Sequence, residues 1–212
     1  ISACLVGSEM CIRDSVKIMT KAADASAAQA LIAPIEARVR ERLPRGIFGA
    51  DAVTLEGAIG SAFERRSLAL AIAESCTGGA IAARLVGVSG ISKTFRGAVV
   101  AYSNESKTAL LDVDTRLIEC HGAVSEQVAL AMARGAKERF EADIALATTG
   151  IAGPEGGSAE KPVGLVWYAL ATPEGEKATK AVFPGDRGDV IRRATTRGLG
   201  LLWRYVEERG WR

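Results

Sequence analysis

Three short segments combine side chains and backbone suited to acyl transfer. The first, Glu74-Ser75-Cys76-Thr77-Gly78-Gly79, follows the apolar run Leu68–Ala73 and precedes a helical pattern. A serine at the carboxyl end of a strand faces the crevice where α/β proteins bind ligands, and the next helix N-terminus offers N–H groups to an anion. Gly78 and Gly79 let the backbone approach a ligand closely. The same residues would equally suit an ordinary strand-to-helix turn with Ser75 or Thr77 as N-cap. Cys76 is a rival nucleophile, because a helix N-terminus lowers a thiol pKa.

The second segment, Tyr102-Ser103-Asn104-Glu105-Ser106-Lys107, also lies where a strand gives way to a helix. Serine needs a base, and the single histidine, His121, falls in an Ile-Glu-Cys-His-Gly stretch that reads as a loop. Lys107 is then the leading base, provided that desolvation or a neighbouring cation keeps it neutral. A lysine in a first helical turn is ordinarily solvated, and an aromatic at a strand end ordinarily covers core. In a functional role, Tyr102 would relay the proton or hold the lysine. If the two strands are adjacent and parallel, Lys107 comes within hydrogen-bond reach of Ser75, with Tyr102 close to both.

The third segment, Ala147-Thr148-Thr149-Gly150-Ile151-Ala152-Gly153-Pro154-Glu155-Gly156-Gly157, is a strand ending in a glycine-rich loop able to turn N–H groups toward a phosphate or an oxyanion. No Gly-Lys-Ser/Thr closes it, and no acidic residue follows at dinucleotide-fold spacing, so ATP-driven chemistry is disfavoured. A mobile surface loop is the plainer interpretation. Lys161 and Arg187 are candidates to grip a phosphate near it, unless they are simply solvated.

Positioning these groups requires strands alternating with helices. Strands are expected at 68–75, 95–102, 144–149, 163–172 and 177–183, with helices at 53–66, 78–86, 105–111, 125–140 and 186–208. This pattern predicts a three-layer α/β/α fold. Pro173-Glu174-Gly175 joins the last two strands as a hairpin, so the sheet should be mixed and mostly parallel. Ser125 followed by Glu126 and Gln127 marks the start of the long middle helix. Upstream, Ala27, Leu31, Ile35, Val39 and Leu43 form a helical stripe ended by Pro44-Arg45-Gly46. Residues 16–50 therefore read as a helical remnant of a preceding domain or a linker, and 51–212 as the main domain. Residues 1–15 lack periodicity and a signal-peptide pattern, and are expected to be non-native or disordered, an unrecognised strand being the alternative.

Composition narrows the partners. The 212 residues carry 27 basic and 25 acidic side chains, with no basic block to track a phosphate backbone, which disfavours nucleic acid. Apolar runs fall well short of the roughly 18 to 20 residues that cross a bilayer, which disfavours a membrane span. The four cysteines form no CxxC and, with one histidine, too few ligands for zinc, so reduced thiols and a cytoplasmic location are expected.

The segments AESCTGG, AYSNESKTALLDV, HGAVSEQVA, ATTGIAGPEGG, EKPVGLVWYAL and FPGDR together resemble the C-terminal domain of the CinA, or competence/damage-inducible, family over about residues 54–208. The resemblance implies a nicotinamide-nucleotide amidase that converts nicotinamide mononucleotide to nicotinate mononucleotide and ammonia without a metal or cofactor. It implies Ser75, Tyr102 and Lys107 as the catalytic group, with Thr149 and Gly150 near the oxyanion. Cys76, Thr77, Gly78, Gly79, Asn104, Gly153, Lys161 and Arg187 complete the expected substrate and oxyanion set. It also implies a homo-oligomer, for which Trp203, Tyr205 and Trp211 would supply an interface, unless they are ordinary helix packing. Residues 17–48 are similar to the stretch that precedes this domain in longer members carrying a molybdopterin-binding-like domain, whose activity is not carried over. A hydrolase of another nucleotide carboxamide, and a nucleotide-binding or regulatory module without turnover, remain the alternatives.

Overall fold

The computed structural model describes residues 2–6 and 15–211. The main unit is a five-stranded sheet built from β3 (Leu70–Glu74), β4 (Phe95–Val100), β5 (Ile144–Gly150), β6 (Leu165–Thr172) and β7 (Gly175–Val182), ordered β4-β3-β5-β6-β7. β3 pairs parallel with both β4 and β5, whereas β5–β6 and β6–β7 are antiparallel. Only β6 therefore runs against the rest, as the hairpin at Pro173-Glu174-Gly175 requires. The sheet is mixed, and most of its strands share one direction.

Helices cover both faces. On one lie α4 (Asn104–Leu111), α5 (Thr115–His121) and α6 (Glu126–Arg139), packed on Ala71, Ala73, Ala145 and Ala147. On the other lie α2 (Leu55–Glu64), α3 (Ala80–Val86) and α7 (Arg187–Glu208), packed on Leu70, Ile72, Ile144 and Leu146. Every residue of β3 is buried, as befits a strand sandwiched between two helical layers. The period-2 alternation sends small alanines to the α6 side and larger aliphatics to the α7 side.

Side-chain caps fix the helix starts. Thr54 accepts from the Gly57 amide, Ser125 from Val128 and Asp186 from Asp189. Ser103 and Ser106 form a reciprocal capping box at the start of α4, which settles the register of Lys107. α4 in turn packs on α6 at Gly135, where an added Cβ would lie 1.9 Å from the Leu111 carbonyl oxygen. Gly135→Ala should accordingly cost about 1–3 kcal/mol through overpacking, a fall of about 2–12 °C in melting midpoint for a chain of this size. An unchanged midpoint would contradict the close approach.

One expectation requires correction. The stretch containing His121 is not a loop, since Thr115–His121 forms α5 with Asp114 as its cap. Within residues 1–15, β1 (Ser2–Val6) pairs antiparallel with β2 (Ser15–Met19), the strand given as the alternative there. Residues 1 and 7–14, on which the rest of that expectation falls, lie outside the described residues. α1 (Ala25–Arg42) runs up to Leu43 before Pro44 and buries no residue fully. Its stripe is only half covered, with Leu31 and Leu43 exposed.

Candidate active site

Ser75 begins where β3 ends, and the sheet ties it down on both sides. Its amide donates to the Thr148 carbonyl of β5 at 3.0 Å, while the Ala101 amide, just past β4, donates to the Glu74 carbonyl at 2.8 Å. The parallel register Glu74↔Val100 sets the two strand ends side by side. From there the chain enters α4, and Lys107, one turn in, reaches back over the helix N-terminus to the strand ends.

The Lys107 amine is buried, with the residue 1% exposed. Its Nζ lies 3.2 Å from Ser75 Oγ and near the carbonyl oxygens of Ala101 (3.0 Å), Tyr102 (3.1 Å) and Ser103 (3.4 Å). Desolvation is the main influence on this group and lowers its pKa below the ordinary lysine value, against weaker opposing charge from Cys76 and Glu105. A neutral amine has two N–H donors and one lone pair. It fits these neighbours by donating to the two nearer carbonyls and accepting the Ser75 hydroxyl proton.

Glu74, absent from the sequence-derived set, organises the turn. It is fully buried, and its carboxylate accepts from the amides of Gly79 (3.0 Å), Ile81 (3.1 Å) and Ala82 (2.9 Å). The expected open helix N-terminus is thus occupied by the protein's own carboxylate, and α3 offers no anion site there. The signal was a lone acid closing an apolar run, since a charge so placed must be paired when buried. The Gly78 amide is also used, donating to the Ser75 carbonyl at 3.0 Å. Among the described residues no oxygen accepts from the amides of Cys76 and Thr77, which leaves these two N–H groups beside Ser75 for a developing oxyanion.

The remaining candidates divide. Thr77 and Thr148 share a hydroxyl hydrogen bond at 2.8 Å, and the Thr149 hydroxyl donates to the Ala123 carbonyl at 2.8 Å. Gly150 is demanded by packing, since a Cβ there would lie 2.6 Å from the Leu165 carbonyl oxygen. Asn104 is the exposed first residue of α4. Tyr102 touches Lys107 through its carbonyl, while its phenol oxygen accepts from Arg187 Nη2 at 2.6 Å; no hydrogen bond joins the phenol to Ser75 or Lys107. Arg187 Nη1 donates to the Gly153 carbonyl at 2.8 Å, which ties the glycine-rich loop to the same corner. Lys161 is drawn elsewhere, its Nζ donating to the His121 carbonyl at 2.6 Å at the end of α5. Among the described residues no cluster of three or more His, Cys, Asp or Glu side chains is placed to hold a metal ion.

Cys76 lies 5% exposed in an apolar cluster with Ala152, Val166, Tyr168 and Phe183. Burial, the largest influence, pushes its thiol up to about 12, so the thiolate needed for attack is scarce near neutrality. Cys76→Ala is therefore expected to keep turnover per folded molecule within about threefold of the parent. Loss of turnover in that variant, with an active Ser75→Ala protein, would make the thiol the nucleophile.

Residues 52–206 match the family model of the CinA C-terminal domain. The chain belongs to the CinA family. A CinA-like protein of Gloeobacter violaceus is 47% identical over 193 residues, covering 90% of this chain and 45% of the relative. A CinA-like protein of Mycolicibacterium vanbaalenii is 49% identical over 178 residues, covering 84% and 42%. The chain thus spans about half the length of the curated relatives it matches. Among solved structures, the competence/damage inducible protein CihA from Agrobacterium tumefaciens is 39% identical with a TM-score of 0.69, covering 74% of this chain and 96% of that one. The competence damage-inducible protein A from Klebsiella pneumoniae is 34% identical with a TM-score of 0.70, covering 72% and 94%. In this CinA chain Trp203 and Tyr205 are buried within the fold, and Trp211 packs edge-on against Tyr205 at 5.6 Å. Among the described residues no helix is long and apolar enough to cross a membrane.

Proposed function

We propose that this chain hydrolyses the carboxamide of nicotinamide mononucleotide to nicotinate mononucleotide and ammonia, with Ser75 as nucleophile and Lys107 as general base. What supports this above all is a buried amine 3.2 Å from a serine hydroxyl at the carboxyl edge of the sheet. A lysine is rarely buried unless its ammonium is paired, and no carboxylate pairs with this one among the described residues.

Each step balances. Ser75 Oγ bonds to the carboxamide carbon while its proton passes to Lys107 Nζ, and the negative oxygen faces the Cys76 and Thr77 amides. Collapse of this intermediate breaks the C–N bond, and Lys107 returns the proton to the departing nitrogen, which leaves as ammonia. Water then attacks the Ser75 ester, again losing a proton to Lys107, which passes it to Ser75 Oγ as the C–O bond breaks; the acid so formed gives its remaining proton to solvent or ammonia and departs as the carboxylate. Water is the only co-reactant. A cytoplasmic homo-oligomer belongs to the same proposal, and sedimentation of the purified protein tests its assembly.

One observation favours a second reading. Three carbonyls and a hydroxyl around Nζ also suit a protonated ammonium, which could clamp a ligand but could not activate Ser75. The site would then bind nucleotide without turnover. Incubation of the purified protein with nicotinamide mononucleotide separates the two: equimolar ammonia and nicotinate mononucleotide are expected, whereas saturable binding with no ammonia would establish the binding module.

A further inference from the structure

The glycine-rich loop rises from β5, the strand that holds the Ser75 amide, and its tip buries nothing, since residues 154–160 are all exposed. Its base is tied by two backbone bonds, the Ile151 amide to the Leu165 carbonyl and the Gly164 amide to the Ile151 carbonyl, each at 2.8 Å. Ala152 packs in the apolar cluster of Cys76, which makes the loop a wall of the nucleophile's turn. Val163 fills the loop's inside, where a Cβ added at Gly153 or Gly157 would lie 2.5 or 2.9 Å from its side chain. The far side of the loop is held by Lys161. A tight turn presents this residue, the Ser158 amide donating to the Lys161 carbonyl at 2.9 Å and the Lys161 amide to the Ser158 hydroxyl at 3.1 Å.

The post that receives the Lys161 ammonium is itself fixed. Consecutive carbonyls between α5 and α6 each accept from a side chain: His121 from Lys161 Nζ at 2.6 Å, Gly122 from Ser125 Oγ at 2.8 Å and Ala123 from Thr149 Oγ1 at 2.8 Å. Because His121 ends α5, the ammonium also meets the negative end of a helix. Gly122 leaves the seat open, since an added Cβ would lie 2.9 Å from Nζ. We infer that Lys161 is a positioning residue whose ammonium latches the glycine-rich loop onto the α5–α6 connection and so keeps this wall of the site closed before a ligand arrives. A loop whose tip buries no residue lies at the low-stability end of a fold, and its closed population depends on the few bonds that hold it. Without the latch part of the protein stands open, and apparent affinity falls with the closed fraction, whereas the ligand-bound protein is closed and turns over as before. The inference rests on the proposed amidase reaction for its kinetic arm alone.

Two measurements on Lys161→Met and Lys161→Arg proteins test it. In the first, the ligand-free chain meets a glutamate-specific protease, and cutting after Glu155 in the exposed tip is followed by mass, so that its rate reports the open population. Lys161→Met should speed this cut about threefold or more, and Lys161→Arg, which can still donate to the His121 carbonyl, should stay within about twofold of the parent. In the second, hydrolysis of nicotinamide mononucleotide by Lys161→Met should show KM raised by a similar factor with kcat within about twofold, and Lys161→Arg should restore the parent's KM. An unaltered KM in Lys161→Met, with or without a lower kcat, would overturn the inference. So would a raised KM with unchanged cutting, the signature of a lysine that grips phosphate. If the parent releases no ammonia, the cutting decides by itself: faster cleavage in Lys161→Met supports the latch and defeats only the amidase reading, and unchanged cleavage overturns the latch.

Discussion

Replacing Ser75 with alanine is expected to lower ammonia release from nicotinamide mononucleotide at least about a thousandfold while nucleotide affinity stays within a few fold. The asymmetry follows from where the hydroxyl acts: it forms a bond in the transition state and contributes little to ground-state binding. No neighbour can take its place. The Cys76 thiol is buried among apolar side chains and held up to about 12, and the Thr77 hydroxyl is bonded to Thr148. The scaffold should survive, because the turn is held by backbone bonds and by the Glu74 carboxylate rather than by the serine side chain. Activity within about tenfold of the parent would remove Ser75 from the nucleophile's role.

Lys107→Arg is expected to reduce turnover by about a hundredfold to ten-thousandfold, the usual worth of a positioned general base. The variant keeps a positive charge, but a guanidinium does not surrender its proton at working pH, so the base is lost while an electrostatic clamp would largely survive. Because arginine is also bulkier in a buried slot, Lys107→Met serves as a second variant with similar length and no charge. Both should be equally slow if the amine is a base. A clamp instead predicts that arginine retains most of the activity and methionine does not. The pH dependence has a definite sign: burial lowers the Lys107 pKa, and only the neutral amine accepts the Ser75 proton. The parent's kcat/KM should therefore rise with pH through that lowered value and then level off. A profile flat across the range below the ordinary lysine pKa would argue against Lys107 as the base.

The parts of this architecture that were legible in the sequence are those governed by long or strongly patterned runs. The apolar run ending at Glu74 and the capping serines at 103 and 125 identified β3, α4 and α6, and Pro173-Glu174-Gly175 announced the antiparallel hairpin. α5 escaped because Thr115–His121 spans only about two turns, too few for a 3.6-residue period to register. The closeness of Ser75 and Lys107 could be anticipated from two strands ending alike, since the parallel pairing of β3 and β4 does the rest. Hydrogen-bond partners could not. Glu74 binding back onto α3, Lys161 turning to the end of α5, and the Tyr102 phenol meeting Arg187 rather than Lys107 all depend on rotamers and loop paths. Sequence pattern carries no information on these.

Hydroxylamine added during turnover of nicotinamide mononucleotide tests the Ser75–Lys107 reaction most directly. If Ser75 forms an acyl ester, hydroxylamine competes with water for it, and the hydroxamate of the nucleotide should accumulate at the expense of nicotinate mononucleotide while ammonia release continues. The Ser75→Ala protein should yield neither product. Ammonia release without hydroxamate at any hydroxylamine concentration, or hydroxamate formed equally well by Ser75→Ala, would contradict a covalent serine intermediate.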